Sequence, residues 1–508
     1  MPTNPLTWMI FLPLLGAAVI LCLPRDNHSL VKWTALAFTI PALLLAIAIY
    51  QGFDRTTAQM QYVTKIPWIP SFNIEYFVGI DGLSVTMVLL TALIAPICVL
   101  ASWEIDKAPK AYFALFLVLI AAMMGVFCAL DFFLFFVFWE VMLLPMYFLI
   151  GIWGGPRREY AAIKFFLYTM VGSVLMLIAM LALYFHNDPH TFDLLKLAEA
   201  RSTYSSTFQS LAWLALFVGF AIKIPAFPFH TWLPDAHVEA PTAISVILAG
   251  VLLKMGTYGI LRVNFPILPE GTLRYAFWLL AALGTWNIVY GALCAMAQKD
   301  LKKLIAYSSI SHMGYVMFGM ASLTAEGIDG AVLQMFNHGT VTAMLFLLVG
   351  VIYDRAHHRN IDGFGGLASI MPVYTAWVAL AFFAAMGLPG LSAFISEVLV
   401  LLGGWRNYPG LTAVAASAVV LTAGYMLWAM QRVYLGKPNE KYLSLPDINR
   451  REIATLVPLG IIVIVLGVYP HAILDLIDTS LQHLNGTVLA AGKAAGAVAS
   501  AASGVAAH

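Results

Sequence analysis

The chain is dominated by long apolar runs, and these runs decide what it can fold into. Fourteen of them reach about 20 residues, the length that a helix needs to cross the hydrocarbon core of a bilayer. Charged residues make up only 10% of the sequence and hydrophobic residues 61%, whereas soluble domains have about 25% charged residues. The sequence therefore predicts an all-α polytopic membrane protein, with spans at residues 7–23, 30–50, 78–102, 111–129, 131–152, 162–185, 209–227, 241–263, 273–298, 304–320, 327–353, 371–404, 409–434 and 453–470.

The basic residues between these spans are unevenly distributed. When each loop is counted with the flanking ends of its spans, one side of the membrane receives 17 of the 27 Lys and Arg residues and the other side receives 8, which leaves Lys223 and Lys254. Because cytoplasmic loops carry the excess of positive charge, both termini are predicted on the outer side of a bacterial cytoplasmic (inner) membrane. No basic segment precedes residues 7–23, so we expect this run to be retained as a span and not removed as a signal peptide.

Several classes of site and partner are disfavoured. The net charge of +1 suggests neither nucleic acid nor an acidic substrate. The sequence has no GxGxxG motif, no P-loop, and no flavin or haem signature, so we expect no cofactor on this chain. All the cysteines lie in apolar runs without a CxxC pair, which argues against an iron–sulfur or zinc site: Cys22, Cys98, Cys128 and Cys294.

The seventh span is interrupted beside a lysine. Pro225 and Pro228 follow Lys223 closely, and prolines remove backbone donors and break the helical ladder. A polar turn with His230 and His237 is predicted after the break. A broken membrane helix with an ionisable group is typical of ion-binding sites in transporters, whereas snorkelling to the headgroups is the alternative for a lysine near a helix end.

The eighth span carries a second lysine, Lys254, well inside its apolar run. Gly250, Thr257 and Tyr258 share its helical face. An intramembrane lysine costs about 2.5–3.5 kcal/mol on insertion scales. The position of Lys254 makes snorkelling a weaker alternative here and favours a role in an ion path.

Glu140 is the one acid inside the fifth span. Its neighbours on the same helix face include Phe136 and Leu144, so its own helix offers it no partner. A carboxylate in this position must be neutral or paired with a group on another helix. A proton-transfer role and a purely structural ion pair both remain open, and Pro145 predicts a kink just after it.

Two consecutive spans carry polar stripes at helical spacing. His312 lies on the tenth span with serines and a tyrosine, and His338 lies on the eleventh with Gln334 and Thr342. A single membrane histidine is often a hydrogen-bonded core residue. Two adjacent stripes instead favour a hydrated path along which imidazoles relay protons.

The twelfth span, 371–404, is too long for one perpendicular helix. Its middle contains Gly387, Pro389 and Gly390, followed by Glu397. This is the second interrupted helix with an ionisable group, five spans after the first. The spacing predicts two repeated five-helix units.

These features divide the chain into four parts. Residues 1–110 hold three helices and a small outer hairpin at 51–77, and residues 111–263 and 273–434 are the two repeats. Residues 435–508 hold the last span and a low-complexity tail from residue 490, predicted to be disordered or loosely helical. Residues 188–208 are predicted to form a surface loop.

Three segments resemble the signatures of one family. They are FPFHTWLPDAHVEAPTAISVILAGVLLKMGTYGILR (227–262), WEVMLLPMYFLI (139–150) and AQKDLKKLIAYSSISHMGY (297–315). All are similar to the antiporter-like membrane subunits of respiratory complex I, with related chains in Mrp-type cation/proton antiporters and membrane-bound hydrogenases. The resemblance implies inverted repeats, a Glu140–Lys223 pair whose separation releases a proton, and Glu397 as the exit residue.

The resemblance also implies a function and its partners. The chain would be a non-redox, proton-translocating subunit of an NADH:quinone oxidoreductase, beside NuoL-like and NuoN-like neighbours. NADH, FMN, iron–sulfur clusters and quinone would be bound by the partner subunits of the redox arm. A gradient-driven Mrp-type antiporter subunit or a hydrogenase subunit is the alternative, and a structural scaffold is a third. Glu397 favours complex I, because most sister subunits carry lysine at that position.

Overall fold

The computed structural model describes residues 4–505 and their side chains as far as residue 493. The described chain is a helical bundle with one small hairpin. Its helices are α1 (Pro5–Cys22), α2 (His28–Gly52), α3 (Gly82–Ala101), α4 (Pro109–Cys128), α5 (Phe132–Val141), α6 (Leu143–Trp153), α7 (Arg158–His186), α8 (Leu194–Glu199), α9 (Ser206–Lys223), α10 (Trp232–Glu239), α11 (Thr242–Ile267), α12 (Pro269–Met296), α13 (Leu301–Ala321), α14 (Ala325–Ala356), α15 (Pro372–Ala385), α16 (Ser392–Asn407), α17 (Pro409–Val433), α18 (Arg450–Val468) and α19 (His471–Val505).

Twelve helical segments of the described chain are long and apolar enough to cross a membrane, with α5 and α6 together forming one of them. The other two predicted spans correspond to α13 and to the pair α15–α16. Helix α13 carries two lysines and a run of polar residues, and α15 and α16 are each shorter than 18 residues. The protein is therefore a multi-pass membrane protein, and fourteen spans stays a prediction.

Two helices form the centre of the bundle. The most apolar 18 residues of α11 are all buried, and so are those of α14. In α2 only 28% of the corresponding 18 residues are buried. Helix α11 also contains two π-helical turns, Leu248–Leu252 and Ile260–Asn264. Such turns are rare and occur frequently at functional sites. Helix α11, at the centre of the bundle, therefore carries polar side chains and is irregularly wound.

The predicted kink after Glu140 takes the form of a break at Met142, between α5 and α6. Pro145 explains its position, because a proline ring clashes with the carbonyl four residues earlier, here that of Val141. Asp131 caps the start of α5 by accepting from the Leu134 amide at 2.9 Å. The break therefore falls just after Glu140 and within one membrane-crossing segment.

Helix α9 ends at Lys223, two residues before Pro225. The polar turn predicted after it is present as far as His230, but His237 and its neighbours form α10 (Trp232–Glu239). The second interruption separates α15 from α16, and Gly387 and Gly390 there have φ of 75° and 91°. Glycine adopts this left-handed region without steric penalty, so the helix can be interrupted there without strain.

The outer hairpin consists of β1 (Gln61–Ile69) paired antiparallel with β2 (Ile74–Ile80). This confirms the predicted hairpin, although its strands extend to residue 80. Lys65 attaches it to the segment after α7 through Asp193 at 2.7 Å, and it pairs with Glu75 of β2 within the hairpin at 3.0 Å. Burial lowers the pKa of Lys65, but these two carboxylates more than offset that effect and raise it.

Residues 188–208, predicted as a surface loop, are partly helical, and the tail, predicted to be disordered or loosely helical, is helical as far as it is described. Residues 188–208 contain α8, so their assignment as a surface loop is incomplete. Helix α19 begins before the predicted tail and continues through it to Val505, because its alanine-rich sequence has high helix propensity. The first half of α19 packs against α3 at Gly82, where the Leu476 carbonyl leaves no room for a Cβ. The last three residues of the predicted tail lie outside the described chain.

Candidate functional site

Lys254 lies at the centre of the bundle with no exposed surface. Its Nζ donates to the Ala249 carbonyl at 2.5 Å and lies 2.6 Å from His338 Nδ1. The π-helical turn just before Lys254 places Ala249 within reach, five residues back. The side chain is therefore held inside the protein, and snorkelling is excluded for Lys254.

A line of ionisable groups continues from His338. Its ring centre lies 5.7 Å from that of His312, and His312 Nδ1 lies 3.1 Å from Glu397 Oε1. Both rings and the carboxylate are buried. The line therefore runs from α11 through α14 and α13 to the second half of the broken helix, joining four of the predicted site residues.

Helix α14 also fixes the position of Glu397. Gln334 donates to Glu397 Oε1 at 3.4 Å, and its own carbonyl accepts from Ser396 at 2.5 Å. Asn337 donates to the Ser392 carbonyl, at the start of α16, at 2.8 Å. The break between α15 and α16, where Pro389 lies, is thus held to the histidine-bearing helix at several points.

The surroundings of Lys223 are different. This side chain is 1% exposed, yet its ammonium faces Met142 Sδ at 3.9 Å and the rings of Trp139 at 5.1 Å and Phe165 at 5.4 Å. A lysine over aromatic faces is stabilised by cation–π attraction. Lys223 therefore lies in a pocket formed by α5 and α7, and no oxygen of the described residues accepts a hydrogen bond from it.

The expected contact between Glu140 and Lys223 is not formed in this structure. No ion pair within 4.0 Å joins them among those of the described residues, and Glu140 Oε1 is buried without a hydrogen-bond partner. Trp139 and Met142, on either side of Glu140 in sequence, take the positions beside the ammonium. Glu140 itself lies on the half-buried face of α5.

The two remaining predicted histidines lie outside the line. His230 Nε2 is 3.1 Å from the Tyr290 hydroxyl, and the His237 ring stacks on Phe346 with centres 4.6 Å apart. Neither nitrogen of His237 has a partner within the described part of the chain. Among those same residues no group of three His, Cys, Asp or Glu side chains could hold a metal ion.

A cavity of about 430 Å³ opens on the side predicted to be cytoplasmic. Its walls include Glu239, Lys302, Asp354 and Arg359. Lys302 is buried, with 4% of its surface exposed, and its Nζ donates to the Ala240 carbonyl at 2.6 Å. Glu239 lines this cavity, and the buried His237 lies two residues earlier on the same helix. The cavity therefore reaches close to a buried histidine.

Comparison with known proteins identifies the family. The family described as NADH:quinone oxidoreductase/Mrp antiporter, TM, matches residues 129–422, and the amino terminus of NADH-ubiquinone oxidoreductase chain 4 matches residues 8–129. NADH-quinone oxidoreductase subunit M of Rhodobacter capsulatus is 44% identical over 499 residues, covering 95% of this chain and 96% of the relative. The chain belongs to the NADH:quinone oxidoreductase/Mrp antiporter family. This confirms the resemblance found in the three sequence segments.

The fold of this antiporter family is also found in solved structures. A chain of respiratory complex I from Thermus thermophilus with bound NADH has a TM-score of 0.85 at 29% identity, covering 95% of this chain and 99% of that one. The Mrp complex from Dietzia sp. DQ12-45-1b gives a TM-score of 0.86 at 22% identity, covering 96% and 100%. The second likeness concerns the fold alone.

One buried pair of this antiporter-family chain was missed by sequence reasoning. Arg262, at the outer end of α11, lies 2.5 Å from Asp81 Oδ1, and both residues are 8% exposed. A signal was available, because Lys254, Tyr258 and Arg262 recur at intervals of four. In the count of Lys and Arg residues on the two sides of the membrane, Arg262 was instead taken as a flanking charge at the outer end of its span.

Proposed function

We propose that this chain is a proton-translocating, antiporter-like subunit of an NADH:quinone oxidoreductase. The name of the Rhodobacter capsulatus relative, which matches over nearly the full length of both chains, supports this assignment. In this proposal NADH, FMN, iron–sulfur clusters and quinone are bound by partner subunits, and this chain supplies one proton channel. NuoL-like and NuoN-like subunits are its neighbours in a bacterial inner membrane, and both of its termini are periplasmic.

The observation that carries the proposal is the buried line from Lys254 through His338 and His312 to Glu397. Each of these groups can both hold and release a proton, and the two terminal contacts are 2.6 Å and 3.1 Å long. Imidazole suits the middle of such a line, because its two nitrogens can accept on one side and donate on the other. A ring rotation or one water bridges the two histidines. Purely structural packing would not require four ionisable groups at membrane depth.

Lys223 and Glu140 supply the driving switch in this proposal. With the ammonium in the aromatic pocket, Glu140 lacks its cation and Lys223 lacks an anion in contact. Movement of Lys223 towards Glu140 would favour the charged lysine, and return to the pocket would favour release of its proton. The structure represents the separated arrangement of this pair.

A subunit of an Mrp-type cation/proton antiporter or of a membrane-bound hydrogenase is the second candidate. The fold cannot discriminate between them, since the Mrp complex has an equally high TM-score. The identity of 44% to a subunit M chain and the glutamate at position 397 favour the complex I assignment.

Lys254→Met in the intact complex tests the proposal. Methionine keeps the apolar length of the side chain but cannot carry a proton, so NADH:quinone turnover and proton pumping should both fall below about a tenth of the original rates, a loss of about 1.4 kcal/mol or more. NADH oxidation by an artificial acceptor that bypasses quinone should stay unchanged.

Lys196→Met is the matched control, because Lys196 is exposed on α8, and all rates are compared at equal complex abundance. Unchanged pumping in assembled Lys254→Met complex would contradict the proposed function. Sodium-dependent transport without any NADH-linked activity would instead support the Mrp-type candidate.

A further inference from the structure

Three long polar side chains of α11 lie on one face and lead outwards from the middle of the membrane. Lys254, Tyr258 and Arg262 are four residues apart, and residues at this spacing are neighbours on a helix surface. All three are buried. The line described above leaves Lys254 towards His338, so Tyr258 and Arg262 are not part of it.

The outer end of this face is tightly connected. Arg262 Nε donates to the Tyr258 hydroxyl at 3.1 Å, and Arg262 Nη2 contacts Asp81 and Ser84 at 2.5 Å and 3.0 Å. The Ser84 and Tyr258 hydroxyls are 2.9 Å apart. Asp81 is also the N-cap of α3 and accepts from the Ser84 amide at 3.0 Å. Four polar groups from two helices thus form one network.

This network forms part of the wall of a second cavity, of about 450 Å³, on the outer side of the protein. Hairpin residues, α8 and α19 complete its walls, and Asp81 and Arg262 belong to its lining. Other polar lining residues are Glu199, Arg201, His483 and Thr487. We call this cavity the outer vestibule. It faces the side opposite to the cavity that Lys302 lines.

We propose that Asp81, Ser84, Tyr258 and Arg262 form an outward gate, which controls the passage of water and protons between the outer vestibule and Lys254. This inference rests on the proposed proton-translocating function and adds a route that does not pass through Glu397. Tyr258 and Ser84 carry the transferred proton, Arg262 closes the passage, and Asp81 positions Arg262.

The charge of Arg262 explains how the gate closes. A guanidinium fixed in a narrow passage repels hydronium and other cations. Asp81 holds it there, and the Tyr258 ring packs beside it with the guanidinium carbon 5.3 Å from its centre. While the pair is intact, the passage is blocked both electrostatically and sterically.

Opening requires two movements. Arg262 withdraws towards the vestibule, and the Lys254 side chain swings from His338 to the next turn of the same face, where Tyr258 lies. Tyr258 then accepts a proton from the Lys254 ammonium and passes its own hydroxyl proton to the Ser84 oxygen. Ser84 releases its hydroxyl proton to water in the vestibule, so that neither hydroxyl keeps a net charge.

Accessibility of introduced cysteines tests the gate without reference to pumping. Thr257→Cys lies behind the network, where Thr257 is fully buried, and Thr487→Cys lies in the vestibule. A membrane-impermeant methanethiosulfonate reagent is added from the outer side of the intact complex, with the chain lacking either substitution as background. Thr487→Cys should react at similar rates in every background. Thr257→Cys should react at least tenfold faster when Asp81→Asn is also present.

Turnover provides a second measurement on an unmutated gate. Addition of NADH and quinone should speed the reaction of Thr257→Cys with the reagent, because opening accompanies transport. A Thr257→Cys site that stays protected in assembled Asp81→Asn complex would overturn the gate. If the Asp81→Asn variant fails to assemble, the turnover measurement decides. A reaction rate of Thr257→Cys that does not rise during turnover would then overturn the gate.

Proton retention separates the gate from a merely structural ion pair. Arg262→Gln should let protons leak, so that the pH gradient per quinone reduced falls severalfold, and Arg262→Lys should restore the gradient. Arg406→Gln is the matched control, because Arg406 pairs with Glu326 at 2.7 Å on the exposed outer surface. Equal loss of turnover and gradient in Arg262→Gln would overturn the gate.

The two proposals fail in different ways. If Thr257→Cys becomes reactive as expected but the complex pumps no protons, the network is a gate for water only. That result would contradict the proposed function and keep the gate. Pumping that depends on Lys254 without any change in labelling would retain the function and reject the gate.

Discussion

The two interrupted helices offer similar sequence patterns but different chemistry. At the end of α9, Lys223 lies against Trp139, Phe165 and a methionine sulfur, and within the described part of the chain no carboxylate pairs with it. After the second break, Glu397 accepts from Gln334 and lies against His312. One ionisable group is enclosed by apolar and aromatic atoms, and the other belongs to a hydrogen-bonded line.

The difference originates in the neighbouring helices and not in the breaks themselves. Helix α5 presents Trp139 and Met142 to Lys223, while α13 and α14 present a histidine and a glutamine to Glu397. A proton on Glu397 can pass to a hydrogen-bonding neighbour such as His312. A proton on Lys223 can be transferred only after Glu140 or the lysine side chain moves. The first region therefore suits a switch and the second suits conduction.

The largest effect is expected where conduction is removed. Glu397→Gln keeps the shape of the side chain but cannot exchange a proton, so pumping should fall at least tenfold, a change of about 1.4 kcal/mol in the barrier. Glu397→Asp keeps the carboxylate and should retain a substantial part of the rate. Proton uptake per quinone reduced in proteoliposomes measures both variants, and equal rates for them would place Glu397 outside the path.

A smaller but still severalfold loss is expected in the switch region. Glu140→Gln removes the anion towards which Lys223 moves, and Glu140→Asp retains it one methylene shorter. Turnover should therefore fall severalfold with glutamine and much less with aspartate, measured at matched complex abundance. If glutamine is tolerated as well as aspartate, packing and not charge explains this residue.

The aromatic pocket sharpens the contrast further. Trp139→Leu removes one cation–π contact, which is worth about 0.5–2 kcal/mol, and should slow turnover about threefold. No such contact stabilises Glu397, so the effect is specific to the first region. Trp278→Leu, at a residue that is 69% exposed on α12, is the control. Equal effects of the two substitutions would indicate general loss of packing.

The smallest effect on activity is expected at Asp131, the N-cap residue of α5. The pKa of its carboxyl depends on the surroundings of α5, the helix that carries Glu140. Burial raises the pKa of Asp131 to about 6, although its carboxylate accepts from the amides of Leu134 and Glu75. Between pH 4 and pH 6 the folded chain binds a proton there that the unfolded chain has released. The contribution of Asp131 to stability is therefore full below about pH 4, falls as pH rises to about 6 and is constant above.

Hydrogen exchange at the start of α5 tests this linkage. Between pH 7 and pH 5 the opening equilibrium should shift about tenfold towards the closed state, and Asp131→Asn should abolish that dependence. Turnover should remain within about twofold of the original. An unchanged pH profile in the asparagine variant would assign the dependence to another group.

Much of the architecture could be predicted, because hydrophobic length and proline position act locally. Pro225 marks the region where α9 ends, and the glycines around Pro389 mark the interruption between α15 and α16. The members of the buried line were also recognisable individually, since Lys254, His338 and Glu397 are unusual within apolar runs. Their order in space was not, because it depends on how four helices pack.

The misses have physical reasons. The contact of Lys223 with Trp139 in place of Glu140 depends on side-chain rotamers, which the sequence does not determine. Arg262 was read as a flanking charge because its partner, Asp81, lies 181 residues away. Helix α19 was missed as an element because its alanine-rich end resembles a low-complexity tail, and α8 because it is only six residues long.

The π-helical turn at Leu248–Leu252 has a consequence for mutations that change the chain length. A π turn contains more residues than the regular helix needs, so removing one residue there would restore ordinary winding without interrupting the helix. The two sides of the helix would keep nearly the same rotational relation, so Lys254 would still face His338. The same deletion in a regular turn would rotate every side chain on one side by about 100° relative to the other. The π turn is therefore the place where this helix tolerates the loss of a residue, and the neighbouring regular turns are not.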